Sequence, residues 1–496
     1  MKDLFIGIDL GTSSMKLILI DREQHVLSSV SKAYEVVGSR EGWREIQPEI
    51  WYDSMVQGVR ELLSGQDPSR LNRIGITGQM HTLVVVDREG EPIRPALMWN
   101  DLRTRDLVPE LREKLKGFEG SAYLSRTIST GSPLSNLYWL KQNEPENYRR
   151  IGKFLIAPDY LVYRLTGQYV TDYCDASTSC LYDLDQKRWS SQVFDLLGLD
   201  FSVCPKVQGS AIPAGSVTEE AAAALCIPAG VPVLTATGDN AAAAMSLGCM
   251  AQRQPFISLG TSGVLVVPVG EDWSAPYGKR ILFSQDDRNF SQLVQGTVQS
   301  NGPTINWWSS GILEKESFDW IDREIDPEAQ KDNPVIFYPH MAGEKTIYAD
   351  SSLRGAFIGL GTESGRAEMS YAMLEGICFG LRMLAEKIGV LLTPEQSFRV
   401  VGGGANSKVW LQTLANVLGV TVERVDGNIG ASYGIAHQAS CKGSDDESID
   451  VPLVVSAVYK PDPVMVAICD QKYAKYKRIY KALKYINGDD TAINVF

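Results

Sequence analysis

Leu10-Gly11-Thr12-Ser13 near the start of the chain and Leu259-Gly260-Thr261-Ser262 past its middle are one phrase used twice, about half of the 496 residues apart. The spacing reads as two similar halves facing each other, each opening on a Gly/Thr/Ser turn between β-rich runs. Residues 4–8 and 17–20 flank the first turn as short strands, and residues 25–30 supply a third. Residues 51–63 carry Trp51, Met55, Val59, Leu62 and Leu63 at helical spacing, and residues 74–79 resume a strand that breaks at Gln79-Met80-His81. Strand, helix, strand predicts an α/β layer architecture. After the second copy the pattern returns, with β-rich runs at 264–267 and 283–294 and helices at 367–387 and 409–417. A buried-type strand at 231–236 runs into Thr237-Gly238-Asp239-Asn240 and an Ala-rich helix at 241–247, which places the boundary there and gives domains 1–240 and 241–496. Residues 460–483 bring Tyr473, Tyr476 and Tyr480 to one helix face, as packing residues of a docking helix.

With 44% hydrophobic and 22% charged residues, the chain is an ordinary globular protein long enough for two or more domains. Its formal charge of -12, with no basic tail to offset it, argues against a general binder of nucleic acid or anionic membrane. Small molecules are the expected partners, with a homodimer allowed for. Eight scattered Cys without a CxxC pair, and only four His, make a zinc site or disulfide framework unexpected and suit a reducing cytoplasm. No apolar run nears the roughly 20 residues of a membrane span, and with Met1 running straight into the first strand no secretory leader is expected.

Asp9 ends the first strand, and Gly11-Thr12-Ser13-Ser14 follows with backbone N–H groups, hydroxyls and a carboxylate able to hold hydrated Mg²⁺; Lys16 lies close behind. One such turn could equally be a plain hairpin, but the strand-flanked copy at Gly260-Thr261-Ser262-Gly263 argues for phosphate binding. GxxxxGK[ST] does not occur, so this is not a P-loop. Gly402-Gly403-Gly404-Ala405-Asn406 follows a strand and precedes a helix, fit either for close approach to a nucleotide or for a simple connection. Asp239, at a strand-to-helix corner behind Gly238, is the candidate catalytic base, with a helix cap as its alternative role. Met80-His81 offers an apolar contact and an imidazole, although a lone His is more often structural. Trp99-Asn100-Asp101-Leu102-Arg103 gathers an aromatic, an amide, a carboxylate and a guanidinium, a set suited to polyol hydroxyls or to a capped turn.

Taken together, these stretches resemble the FGGY carbohydrate kinases from Phe5 to about Ala436. The most specific match is Gly355-Ala356-Phe357-Ile358-Gly359-Leu360, followed by Glu368-Met369 and Ala372-Met373-Leu374-Glu375, which is similar to a signature of that family. Gly7-Ile8-Asp9-Leu10-Gly11-Thr12-Ser13, Gly238-Asp239-Asn240 and the triple-Gly turn come in the family's order. Gly78-Gln79-Met80-His81 and Trp99 to Arg103 are most similar to its xylulokinase members.

The resemblance implies an α/β fold of two ribonuclease-H-like, actin-type ATPase domains flanking a central cleft, the first mainly for sugar and the second mainly for ATP. Carried over position by position, Asp239 is the base and, with Asp9, organises the Mg²⁺ that accompanies ATP. Gln79, Met80, His81, Trp99, Asn100 and Asp101, with Asp239, face the sugar. Gly11, Thr12, Ser13, Lys16, Gly260, Thr261, Gly302, Asn306, Gly403, Gly404, Ala405 and Asn406 hold ATP. The expected reaction is phosphoryl transfer to a hydroxyl of a ketopentose, foremost D-xylulose. Gluconate, ribulose and L-xylulose are alternatives within the family, and the neutral sugars are favoured because Met80-His81 supplies no fixed positive charge. Outside the class stand an actin- or chaperone-like ATPase and a non-catalytic sugar sensor. The chain departs from the xylulokinase pattern at Thr82 and Ser14, where Gly is usual, at Asn136, where Lys is usual, and over residues 340–347.

Overall fold

A computed structural model describes the whole chain except residues 1, 39, 119–121, 252, 274–276, 342, 345, 349, 351, 427–429, 442–449, 452 and 487–496. β1 (Leu4–Leu10), β2 (Ser14–Ile20) and β3 (Val26–Ala33) form an antiparallel meander. Leu4, Phe5, Ile6, Ile8 and Leu10 are all buried, the near-continuous apolar run expected of a strand covered on both faces. α1 (Pro48–Leu62) buries Trp51, Met55, Val59 and Leu62 and leads back to β4 (Leu71–Gly78), parallel to β1. Glu45–Ile46, ahead of α1, joins Leu83–Val86, Ala96–Leu97 and Lys153–Ile156, which follow β4, in a small four-stranded sheet, and the short helix α2 (Tyr173–Thr178) comes next. β5 (Pro213–Ser216) and β6 (Pro232–Leu234) then complete the order β5-β6-β4-β1-β2-β3, with β7 (Thr237–Gly238) alongside the end of β4.

The second half repeats this. β8 (Phe256–Leu259), β9 (Gly263–Gly270), β10 (Lys279–Ser284), β11 (Phe290–Val298), β12 (Ser397–Val401), β13 (Thr421–Asp426) and β14 (Val454–Tyr459) stand in the order β10-β11-β9-β8-β12-β13-β14. Removing the antiparallel additions leaves β3-β2-β1-β4-β6 in one half and β11-β9-β8-β12-β13 in the other. In both, the second strand runs against its neighbours and the fourth lies parallel to the first. This is the ribonuclease-H-like order that the resemblance implied.

α3 (Asp239–Ser246) continues through position 240, so the expected boundary falls inside a helix. Its Ala241, Ala242, Ala244 and Met245 pack on Phe256, Val266, Ile281 and Leu293 of the second sheet. The long helix α4 (Arg366–Ile388) and α5 (Lys408–Leu418) enclose the second core. α6 (Ala431–Ser440) reaches back to the first sheet, where a Cβ on Gly7 would lie 2.1 Å from the Ser432 carbonyl and one on Gly75 2.6 Å from that of Ile435. Each half thus lays a helix on the other's sheet. α3 and α6 meet where a Cβ on Gly434 would lie 2.0 Å from the Ala242 carbonyl. α7 (Pro463–Ile486) docks as expected: Tyr473 and Tyr476 are buried, Tyr480 stacks on Tyr348 at 3.8 Å, and Lys472 pairs with Glu375 in the interior.

Candidate active site

The functional turns lie at the ends of corresponding strands. β1 delivers Asp9 and then the Gly11-Thr12-Ser13 hairpin, whose Gly11 N–H donates to the Ser14 carbonyl at 3.0 Å. That amide is therefore spent on the turn, leaving the Thr12 and Ser13 amides at its tip. The Gly11 carbonyl accepts from Tyr34 Oη and, at 3.3 Å, from Gln79 Nε2, while the Thr12 hydroxyl accepts from Trp99 Nε1 at 2.9 Å. β4 ends at Gly78, and Gln79-Met80-His81 follow with His81 at φ 72°, left-handed backbone unusual for a residue with a side chain. Strained backbone of this kind concentrates at ligand clamps.

Asp239 opens α3 as its first residue, with Gly238 in the cap position and no side-chain cap bond. The cap position is thus Gly238's, and Asp239 stands one residue inside the helix, at the strand-to-helix corner. Burial, and next the charge of Asp9, push its carboxyl up to about 7. Asp9 is itself pushed up by burial to about 6, with Lys16, its register partner across the hairpin, pulling the other way. Met80 packs against Gly238, and its Sδ accepts from Asn240 Nδ2 at 3.3 Å. Thr82, one of the departures, is buried and braces the neighbourhood: its hydroxyl accepts from the Trp99 N–H at 3.1 Å and donates to Gln79 Oε1 at 3.2 Å.

Asp101 is corrected by the structure. It is fully buried, with its oxygens taken by the Arg103 guanidinium at 2.8 and 2.9 Å and by the Arg44 and Arg103 backbone amides, so it scaffolds the loop and has no free oxygen to offer a sugar. Trp99 is exposed beside Thr12, and among the described residues none partners Asn100 Oδ1. Asn136 is buried and donates to the Gly131 carbonyl. Ser14 simply starts β2. Of residues 340–347, Ala342 and Lys345 lie outside the described residues; His340 is buried and Glu344 accepts from the amides of Thr346, Ile347 and Tyr348.

In the second half, Gly260 forms the matching hairpin, its N–H donating to the Ser262 carbonyl at 3.2 Å. Gly302, at the start of the helix Gly302–Asn306, donates to the carbonyls of Gly260 and Thr261, bringing that expected pair together. Asn306 is exposed on the same short helix. β12 ends at Val401, and Gly402 follows at φ 91° with the Leu259 carbonyl carbon 2.8 Å from where a Cβ would sit. Gly403 has nothing within 4 Å of that position, so its face is open; Ala405 is buried and Asn406 exposed. Gly402 to Asn406 therefore occupies the place that Gln79-Met80-His81 fills in the first half. One turn is bare backbone, and its counterpart carries side chains.

Sequence reasoning missed three neighbours. Lys279, from the start of β10, puts its Nζ 2.6 Å from His81 Nε2, so a cationic group does stand beside Met80-His81. Burial, then the Lys279 charge, hold His81 neutral. Asp172 accepts from the Thr237 hydroxyl at 2.5 Å and Asp175 is buried behind it, both carboxyls raised chiefly by burial. The signal for them was the run Thr171-Asp172-Tyr173-Cys174-Asp175, two carboxylates in an otherwise small or apolar segment.

Sequence profiles of the FGGY family of carbohydrate kinases match the chain twice, the N-terminal-domain profile over residues 4–246 and the C-terminal-domain profile over residues 256–442. The chain belongs to the FGGY carbohydrate kinases. Among FGGY relatives, it is 32% identical to the xylulose kinase of Staphylococcus xylosus over 87% of this chain and 89% of that one. It is 28% identical to the xylulose kinase of Bacillus subtilis over 99% of both. The crystal structure of the xylulose kinase from Rhodospirillum rubrum superposes with a TM-score of 0.88 at 25% identity, covering 97% of this chain and 99% of that chain. As an FGGY kinase the protein transfers phosphate to a sugar hydroxyl, which removes the chaperone-like ATPase from consideration. Among the described residues, no helix is long and apolar enough to cross a membrane.

Proposed function

We propose that this FGGY kinase transfers the γ-phosphoryl group of MgATP to a hydroxyl of D-xylulose. The observation that carries the reading is the Asp239 carboxyl at the end of β7, beside Met80 and across β4 from Asp9, in a chain whose relatives are xylulose kinases. Asp239 accepts the hydroxyl proton as the sugar oxygen attacks in line, and its value near 7 suits a base working at neutral pH. Met80 and His81 orient the sugar, with Trp99, Gln79 and Asn100 around them. The open Gly403 face, Gly404 to Asn406, Gly260-Thr261, Gly302 and Asn306 hold ATP, with Gly11 to Ser13 and Lys16 on the phosphate side.

Among the described residues no cluster of three His, Cys, Asp or Glu could enclose a metal ion. The Asp9 and Asp239 pair nevertheless fits Mg²⁺, which keeps most of its water and phosphate ligands and takes one or two carboxylates from a protein. When bound, the ion supplies positive charge against the transferring phosphate. The rest of catalysis is positioning. Residues 1–240 mainly hold the sugar and 241–496 mainly ATP, with α3 shared between them. The eight free cysteines suit a reducing cytoplasm, and sedimentation of the purified protein tests a homodimer.

A panel of pentuloses, hexuloses, polyols and aldonates read by ADP release tests the substrate. D-xylulose is expected to give the highest kcat/KM by at least about tenfold; another sugar in first place overturns the reading.

A further inference from the structure

Lys279 enters the sugar side of the cleft from the wrong half. It opens β10, one of the strands that the second sheet adds to the shared five-strand order, and Gly278 before it turns at φ 87°. β10 lies against α2, with the Leu282 N–H donating to Ser177 Oγ at 2.9 Å, so its first residue reaches the wall formed by Met80, His81 and Gly238. An ammonium has three donors, and among the described residues the one hydrogen bond of Lys279 goes to His81 and no carboxylate lies within ion-pair distance. Asp175 is 1% exposed, among the described residues neither of its carboxyl oxygens is hydrogen-bonded, and burial raises its carboxyl while the Lys279 charge pulls the other way. Buried polar groups are normally paired, and these unspent groups lie by the Met80-His81 corner, where Cys174, the neighbour of Asp175, meets Gly238.

We propose that Lys279 is a specificity-determining residue of the sugar site, its ammonium donating to an oxygen of an uncharged polyhydroxy ketose. The inference rests on the substrate reading given above. The ligand class follows from the substrate reading, D-xylulose being an uncharged ketose. His81, held neutral, then shares the ketose oxygens with Lys279 and is not itself the charged donor.

Lys279→Met keeps the length of the side chain and removes the donors. A hydrogen bond from a charged group corresponds to a rise in D-xylulose KM of roughly 10- to 100-fold, with ATP KM moving less than about twofold. Calorimetric titration of D-xylulose without nucleotide is expected to weaken in step. An unchanged D-xylulose KM in Lys279→Met protein that melts like wild type overturns the proposal. So does a parallel rise in ATP KM, which would make the lysine a brace between the halves. Selective loss of gluconate phosphorylation in the variant overturns the neutral-ligand class. A wild-type enzyme that D-xylulose does not accelerate sinks the substrate reading instead, so the two failures are distinguishable.

Discussion

Asp239 and Asp9 carry carboxyls that burial holds at about 7 and about 6, against an ordinary 3.8. The folded protein therefore binds protons that the unfolded chain releases. That contribution to stability is complete below about pH 4 and is lost as pH rises through 6 and 7. Asp239→Asn mimics the protonated form. It is expected to lower kcat by about 10²- to 10⁴-fold while raising the melting temperature of the ligand-free protein at pH 8 by about 2–4 °C, a gain that vanishes at pH 4. Paired ADP-release assays and calorimetric melts read both arms, and a variant less stable than wild type at pH 8 contradicts the electrostatic account. Thr82→Val keeps the shape but strips the bonds to the Trp99 amide and Gln79. A loss of about 1–3 kcal/mol is expected in urea melts, together with a higher sugar KM. The strand-to-helix corner at Asp239 and the break after Gly78 that carries Met80-His81 were legible in sequence, because local composition marks both. Asp101 was misread, because the same five residues that could grip a polyol also close a buried Arg103 ring of contacts. Lys279 was invisible, since its partner lies 198 positions away.

Among the elements, the strand ends carry the division of labour. β4 and β12 are counterparts, yet one runs into Gln79-Met80-His81 and the other into Gly402-Gly403-Gly404. Gly402→Ala puts a side chain at φ 91° and 2.8 Å from the Leu259 carbonyl. The expected result is an ATP KM raised roughly tenfold, a cost of about 1.4 kcal/mol, with D-xylulose binding by calorimetry unchanged. Equal weakening of both ligands would mean that the turn serves more than nucleotide. Strands, turns and long helices were readable from periodicity, because α/β cores demand continuous apolar strands. The pairing order was not, since a parallel neighbour depends on crossovers that no local pattern reports.

At the scale of the molecule, α7 is pinned by Lys472 on Glu375, both buried, with burial raising the Glu375 carboxyl and the lysine countering it. Lys472→Met strands that carboxyl and is expected to cost about 3–5 kcal/mol in urea melts; adding Glu375→Gln should restore much of it. If the double variant is no more stable than the single, the pair is not what holds the helix. The repeated Leu-Gly-Thr-Ser phrase announced two halves, but nothing in it announced that α3 and α6 change places. That exchange bears on how the gene could be divided. A fragment ending near residue 250 would expose the face of its first sheet that α6 covers, and its complement would lack α3. Neither piece should be soluble alone, whereas co-expressed pieces should find each other and regain sugar-dependent ADP release, making the chain a natural candidate for a split-enzyme reporter.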